Sequence, residues 1–246
     1  LSALLNESLL VELIGCGSTV VSGRERGSRR VEPGDLFAAI DGVHERGVDY
    51  VADAVSRGAA AVCAEQRLEL PVPYCRVDNA LLALSRISTR IYGNPTARLA
   101  AVGITGTNGK TTVTYLLESI LKEVGARPAV IGTVNFRGPD GERQATHTTP
   151  MADDLMRLLR DFVEQGATHL VLEVSSHALS MHRADGIRYR VAALTNLTQD
   201  HLDFHGDFAS YQRAKRRLFQ ELAPDCSVLN LDDALGAALA RELGGK

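Results

Sequence analysis

ITGTNGKTT, residues 104–112, is the stretch that decides the fold. It joins the apolar run LAAVG (99–103) to a helical pattern over Thr111 to Val124. Gly106 and Gly109 allow a backbone turn whose N–H groups face an anion. Lys110 can reach terminal phosphates, Thr111 offers a hydroxyl to Mg2+, and the helix start adds its positive end. The strict phosphate-loop spacing needs glycine five residues before Gly109; that place holds Ile104, with Gly103 one position early. The loop is therefore a variant. The competing reading, a glycine-rich turn that binds nothing, is disfavoured by the buried strand before it and the helix after it.

Outward from this loop, strands and helices alternate. Ala129 to Gly132 reads as a strand, residues 135–147 as a polar loop, and Pro150 opens a helix with Thr149 as N-cap and Gly166 at its end. HLVLEV and VAALTN are apolar strands, DFASYQRAKRRLFQELA (207–223) is an amphipathic helix, and SVLNL leads to a last helix. Toward the N-terminus, Leu36 to Ile40 and Ala59 to Ala64 read as strands, with Val48 to Arg57 and Asn79 to Tyr92 as helices. The breaker cluster in YGNPTAR places a domain boundary at residue 95. The fold expected is α/β. Residues 1–95 form a small N-terminal α/β domain, and 96–246 a mostly parallel, three-layer α/β/α ATPase domain that is incomplete. Leu1 is not Met and the chain stops just after a strand–helix unit, which predicts a piece of a longer protein.

Composition excludes several classes. A net charge of −3 over 246 residues gives no electrostatic case for nucleic acid or a membrane surface. No apolar run approaches the roughly 20 residues of a membrane span. The N-terminus carries acids where a secretion signal has a basic lead. Cys16, Cys63, Cys75 and Cys226 are scattered without CxxC spacing, which fits thiols in a reducing cytoplasm. Oligomeric state is not readable.

Three features beyond the loop point to chemistry. Glu173 closes an apolar strand, where an acid faces the metal of a bound nucleotide. Asp200, His201, Asp203 and His205 crowd one loop after the next strand. Their spacing admits zinc, magnesium, or a loop bonded only to its own backbone. Magnesium fits best beside a phosphate loop with no thiol nearby. Lys215 falls on the apolar face of its helix, in line with Tyr211 and Leu218. Burial would lower its pKa and leave some amine neutral, unless it snorkels to water.

GTNGKTT, the TTP of Thr148 to Pro150, EVSSHAL, TNLTQDHLDFHG and YQRAKRRLF occur in this order. Together they resemble the Mur ligase family, the ATP-dependent amide-bond synthetases of peptidoglycan assembly. SRRVEPGDLFAAIDG (28–42) is similar to the uridine-nucleotide domain of the member that adds the third residue of the stem peptide. The resemblance implies that ATP sits on Gly106, Thr107, Asn108, Gly109, Lys110, Thr111 and Thr112. It implies Mg2+ on Thr111, Glu173, His201 and a carbamylated Lys215; Lys110, Glu173, His201 and Lys215 are then the catalytic set. UDP-N-acetylmuramoyl dipeptide would meet Ser28, Val43, His44 and Glu45 at its uridine end. His147, Thr148, Thr149, Ser175, Met181 and Arg183 would meet its muramoyl–peptide part.

An acyl phosphate would form on the dipeptide carboxylate, and the amine of an amino acid would displace it. In the family a third, C-terminal domain selects that amino acid, and this chain ends before it. The isolated chain is thus expected to bind nucleotide and UDP-substrate weakly and not to ligate. Family frequency favours meso-diaminopimelate over L-lysine. Departures from the pattern are Gly27 and Arg46, where relatives often carry Asp, and His147 and Met181, where some carry Asn and Gln. The rival readings are another ligase of this plan, such as folylpolyglutamate synthetase, a simple phosphotransferase, a zinc hydrolase on His201, Asp203 and His205, and a non-catalytic nucleotide module.

Overall fold

The computed structural model describes residues 10–14, 23–25, 27–42, 45–145 and 147–244. The chain divides into two compact units, residues 1–93 and 94–246.

In the first unit, five strands lie in the order β1-β5-β4-β3-β2: β1 Leu10–Ile14, β2 Gly23–Glu25, β3 Asp35–Ala38, β4 Ala61–Ala64 and β5 Tyr74–Val77. All pairs are parallel except β1 with β5. Alternate residues serve opposite faces, as a sheet covered on both sides requires. Leu36, Ala38, Cys63 and Cys75 pack with Ala83, Leu84 and Ile87 of α2 (Ala80–Ile91). Phe37, Ala39, Val62 and Tyr74 pack with Val51 and Ala54 of α1 (Val51–Ser56). Asn79 caps α2, its side-chain oxygen accepting from Leu82 N at 2.9 Å.

The second unit holds seven strands in the order β12-β11-β6-β10-β7-β8-β9. Five are parallel: β6 Ala100–Thr105, β7 Pro128–Ile131, β10 His169–Glu173, β11 Tyr189–Leu194 and β12 Cys226–Leu229. Helix α3 (Lys110–Glu123) lays Val113, Leu117 and Leu121 on Val102, Ile104, Val130 and Val171. The others are α4 (Ala152–Glu164), α5 (Ser176–Ser180), α6 (Leu202–His205), α7 (Phe208–Gln220) and α8 (Ala234–Leu243). Register places the site. Glu173 pairs with Ile104, and Leu194 pairs with Thr105, so β6, β10 and β11 end at one sheet edge.

Two local expectations are corrected. Residues 135–147 are not all loop: β8 Asn135–Gly138 and β9 Gly141–Gln144 form an antiparallel hairpin. β9 is exposed throughout, so it carries no hydrophobic alternation to reveal it. Thr149 is not the N-cap of α4; Met151 holds that position without a side-chain bond. Among the described residues no helix is long and apolar enough to cross a membrane.

Candidate active site

The loop between β6 and α3 is built on two glycines with positive φ, Gly106 (146°) and Gly109 (86°). A Cβ on Gly106 would sit 1.8 Å from Thr195 Oγ1, so only glycine fits there. The end of β11 locks the loop from outside. Thr107 N donates to Asn196 O (2.9 Å), and Asn108 N to Asn196 Oδ1 (3.0 Å). Thr195 Oγ1 donates to Asn108 O at 2.7 Å. Two amides expected to face an anion therefore bond Asn196 instead. The first N–H groups of α3, which a helix start cannot satisfy internally, are suited to face an anion. Thr112 is exposed on that first turn.

Lys110 Nζ folds back onto the loop, donating to Gly106 O and Thr107 O at 2.8 Å each. Burial lowers its pKa, while Glu173 and Asp200 act in the opposite sense. Lys215 Nζ donates to the same Gly106 O at 2.8 Å. Lys215 is 1% exposed, so it does not snorkel. Its pKa is pulled down to about 7, first by burial and then by the charge of Lys110, with Asp200 opposing. Its ammonium lies 4.7 Å from the ring centroid of Tyr211, one helical turn earlier. The Tyr211 hydroxyl bonds Thr107 Oγ1 at 3.0 Å, which ties α7 to the loop. Periodicity marks Tyr211 only as core; its place four residues before Lys215 is the one local signal of this second role.

Glu173 is 1% exposed and fully engaged. Its Oε2 accepts from Thr111 Oγ1 (3.0 Å) and Thr133 Oγ1 (3.1 Å), its Oε1 from Thr133 N (3.1 Å). A carboxylate beside a loop threonine is a hard-oxygen pair suited to Mg2+. His201, at φ 51° before α6, packs edge-on to His177 with ring centroids 4.8 Å apart. His177 also meets Phe204 (4.0 Å) and His205 (5.6 Å). Burial, then His201, lowers the pKa of His177; burial, then His201 and Lys215, lowers that of His205. Among the described residues no three His, Cys, Asp or Glu side chains converge to hold a metal by themselves.

Next to Glu173 lies a second polar cluster. Thr149 Oγ1 donates to Glu173 O at 2.7 Å and accepts from Ser175 N at 3.2 Å, which is why it cannot cap α4. Ser175 Oγ caps α5, accepting from Ala178 N at 3.1 Å. Arg183 Nη1 donates to Thr149 O (3.1 Å) and Nη2 to Met181 Sδ (3.0 Å). Thr148 bonds Thr133, and His147 is exposed.

In the first unit, Ser28 and Glu45 line a cavity of about 440 Å3 with Arg29, Arg30, Gly47 and Tyr50. Ser28 bonds Asp53, which with Arg57 holds that carboxyl below its usual range. The hydrogen bond from Tyr50 to Glu45 raises the phenol. Gly47 is required beside Arg46, because a Cβ would lie 2.4 Å from Ile40 N. Val43 and His44 lie outside the described residues.

The model of the Mur ligase middle domain matches residues 104–246, which carry the loop, Glu173, His201 and Lys215. The chain belongs to the Mur ligase family. Among similar members, a UDP-N-acetylmuramoyl-L-alanyl-D-glutamate–2,6-diaminopimelate ligase of Geobacter metallireducens is 48% identical over 224 residues, 87% of this chain and 44% of that protein. One of the same name from Caldanaerobacter subterraneus is 39% identical over 237 residues, 96% of this chain and 49% of its own. A solved structure of a ligase with that name matches with TM-score 0.79 at 32% identity, over 91% of this chain and 46% of the other. A MurF ligase from Thermotoga maritima in complex with ADP shares the fold, with TM-score 0.57 at 21% identity over 93% of this chain and 49% of that one. The chain thus spans about half the length of the Mur ligases it matches.

Proposed function

We propose that this chain supplies the UDP-substrate-binding and ATP-binding parts of a cytoplasmic, ATP-dependent ligase. The reaction would add meso-diaminopimelate to UDP-N-acetylmuramoyl-L-alanyl-D-glutamate in peptidoglycan synthesis. One observation carries the reading: Lys110, Lys215 and the Thr111–Glu173 pair meet around a glycine loop at a single sheet edge. The choice of member rests on relatives of that name, such as the one 48% identical from Geobacter metallireducens. Residues 1–95 are assigned to the UDP end of the substrate and 96–246 to ATP.

Lys110 swings from its loop carbonyls to the γ-phosphate and balances the charge that develops as the phosphoryl group passes in line to the substrate carboxylate. ADP leaves, and an acyl phosphate remains. The amine of the incoming amino acid attacks that carbonyl; the amide forms, and phosphate and a proton depart. Thr148, Thr149, Ser175, Met181 and Arg183, with the start of α4, would orient the anionic muramoyl–peptide. Thr111, Glu173, His201 and a carbamylated Lys215 would hold Mg2+, which when bound supplies charge neutralisation at the phosphates. Carbamylation needs a neutral amine and turns a cation into a bidentate anion; the depressed pKa of Lys215 supports it.

Calorimetry on this chain tests the reading, with a non-hydrolysable ATP analogue and with UDP-N-acetylmuramoyl dipeptide in separate titrations. Both are expected to bind. Binding of a folate substrate in place of the UDP compound, or of neither ligand, rejects it.

A further inference from the structure

Lys215 is held from one side by Gly106, but a helix must also be held from the other. Arg217 lies two residues on, about 200° around α7, and so faces away from the phosphate loop. All three of its nitrogens are engaged. Nη2 donates to Asp185 Oδ2 at 2.9 Å, Nε to Glu221 Oε2 at 2.6 Å, and Nη1 to Leu179 O. The Asp185 side chain is 5% exposed and also pairs with His182 Nδ1 at 2.7 Å, a nitrogen that lies 3.2 Å from Arg217 Nη2. Burial works against its charge, yet the His182 hydrogen bond and the charge of Arg217 hold its pKa low. His182 itself has a φ of 53°, a strained conformation for a side-chain-bearing residue, in the turn that ends α5.

This turn runs continuously back through α5 and Ser175 to Glu173 at the end of β10. Tyr211 ties one side of α7 to Thr107 Oγ1 at 3.0 Å, and the directed bonds of a planar guanidinium hold the other side. A rotation of α7 by a few tens of degrees would carry the Lys215 amine from Gly106 toward water. We propose that Asp185, acting through Arg217, is a positioning residue that sets the rotation of α7 and so keeps Lys215 Nζ seated on the Gly106 carbonyl. The proposal deepens the role given to Lys215 above and rests on that reading for its purpose, though not for its geometry.

The test is acetylation of lysines on this chain by acetic anhydride at pH 8, with acetate as leaving group, read residue by residue by mass spectrometry. Lys122, with 62% of its side chain exposed, is the internal standard. In Asp185→Asn and Arg217→Met, Lys215 should label roughly tenfold faster than in the parent while Lys122 is unchanged. Arg217→Lys, which keeps the charge without the fork, should fall between. Glu221→Gln removes an exposed partner of Arg217 and should label like the parent. Thermal melting reports which variants fold, and Arg217→Lys stands in should Arg217→Met not. The proposal is overturned if folded Asp185→Asn and Arg217→Lys protect Lys215 as the parent does. It is equally overturned if Glu221→Gln exposes Lys215 as strongly as Asp185→Asn, since any weakening of α7 would then suffice. A separate 13C-bicarbonate spectrum of the parent addresses the carbamate. Finding no Lys215 carbamate would remove that part of the proposed function, while the labelling rates would still decide the role of Asp185.

Discussion

Lys110 and Lys215 donate to one acceptor, the carbonyl oxygen of Gly106, each at 2.8 Å. Two ammonium groups on one dipole repel, and one of them is buried. The pair is therefore electrostatically loaded, and an anion that drew Lys110 outward would relieve it.

That load has a pH signature. The pKa of Lys215 is about 7 in the folded chain against 10.5 as its ordinary value. Between these values the unfolded state binds the extra proton, so the stability contribution from Lys215 rises with pH. The slope is at most about 1.4 kcal/mol per pH unit. In CO2-free buffer, the stability of the parent relative to Lys215→Met should climb from pH 7 to pH 9. Urea denaturation at three pH values reads this; a flat difference contradicts the burial of the charged amine.

Removing the first cation should release the second. In Lys110→Ala the pKa of Lys215 should move up toward its ordinary value, because one of its two depressing causes is gone. Direct NMR titration of the lysine side chains would show the direction. Affinity for an ATP analogue should also fall by roughly 10- to 100-fold, the worth of a charged hydrogen bond. Unchanged affinity would mean that Lys110 never leaves its loop carbonyls.

Glycine is required at 106 for contact and at 141 only for conformation, though both have φ of 146°. A Cβ at 106 meets Thr195 at 1.8 Å, while at 141 nothing lies within 4 Å. Gly106→Ala should therefore abolish nucleotide binding measured by calorimetry. Gly141→Ala should leave it intact and cost about 1–3 kcal/mol of stability. Equal effects on binding would overturn the packing of the loop against β11.

Thr149 is buried, 1% exposed, and bonds two backbone groups that flank Val174, the Glu173 carbonyl and Ser175 N. Thr149→Val keeps the shape and leaves both backbone groups unsatisfied. It should destabilise the chain by about 1–3 kcal/mol in denaturant titrations. Thr112→Val, at an exposed site on α3, should shift stability far less.

Legibility follows the range of the interactions. α2, α3 and α7 are readable because apolar spacing and caps are local, and Asn79 and Asp207 cap as their types predict. The β8–β9 hairpin escapes such a reading because its outer strand has no buried face. Thr149 has the residue type of a cap, but its real partner, the carbonyl of Glu173, lies 24 residues away. Asn196 stands in plain view within TNLTQDHLDFHG, yet nothing local says that its side chain and carbonyl take the amides of Thr107 and Asn108.

The sequence alone determined the alternation of β6, β7, β10, β11 and β12 with α3, α4, α7 and α8, the glycine loop after β6, and the face of α7 that carries Lys215. Each depends on periodicity or on a backbone that only glycine allows. Tertiary structure decided the rest: which strands lie side by side, that β6, β10 and β11 end in register, and that Lys215 meets Gly106 across 109 residues of chain. Parallel pairing and helix rotation are set by contacts between distant segments, whose partners no local pattern can name.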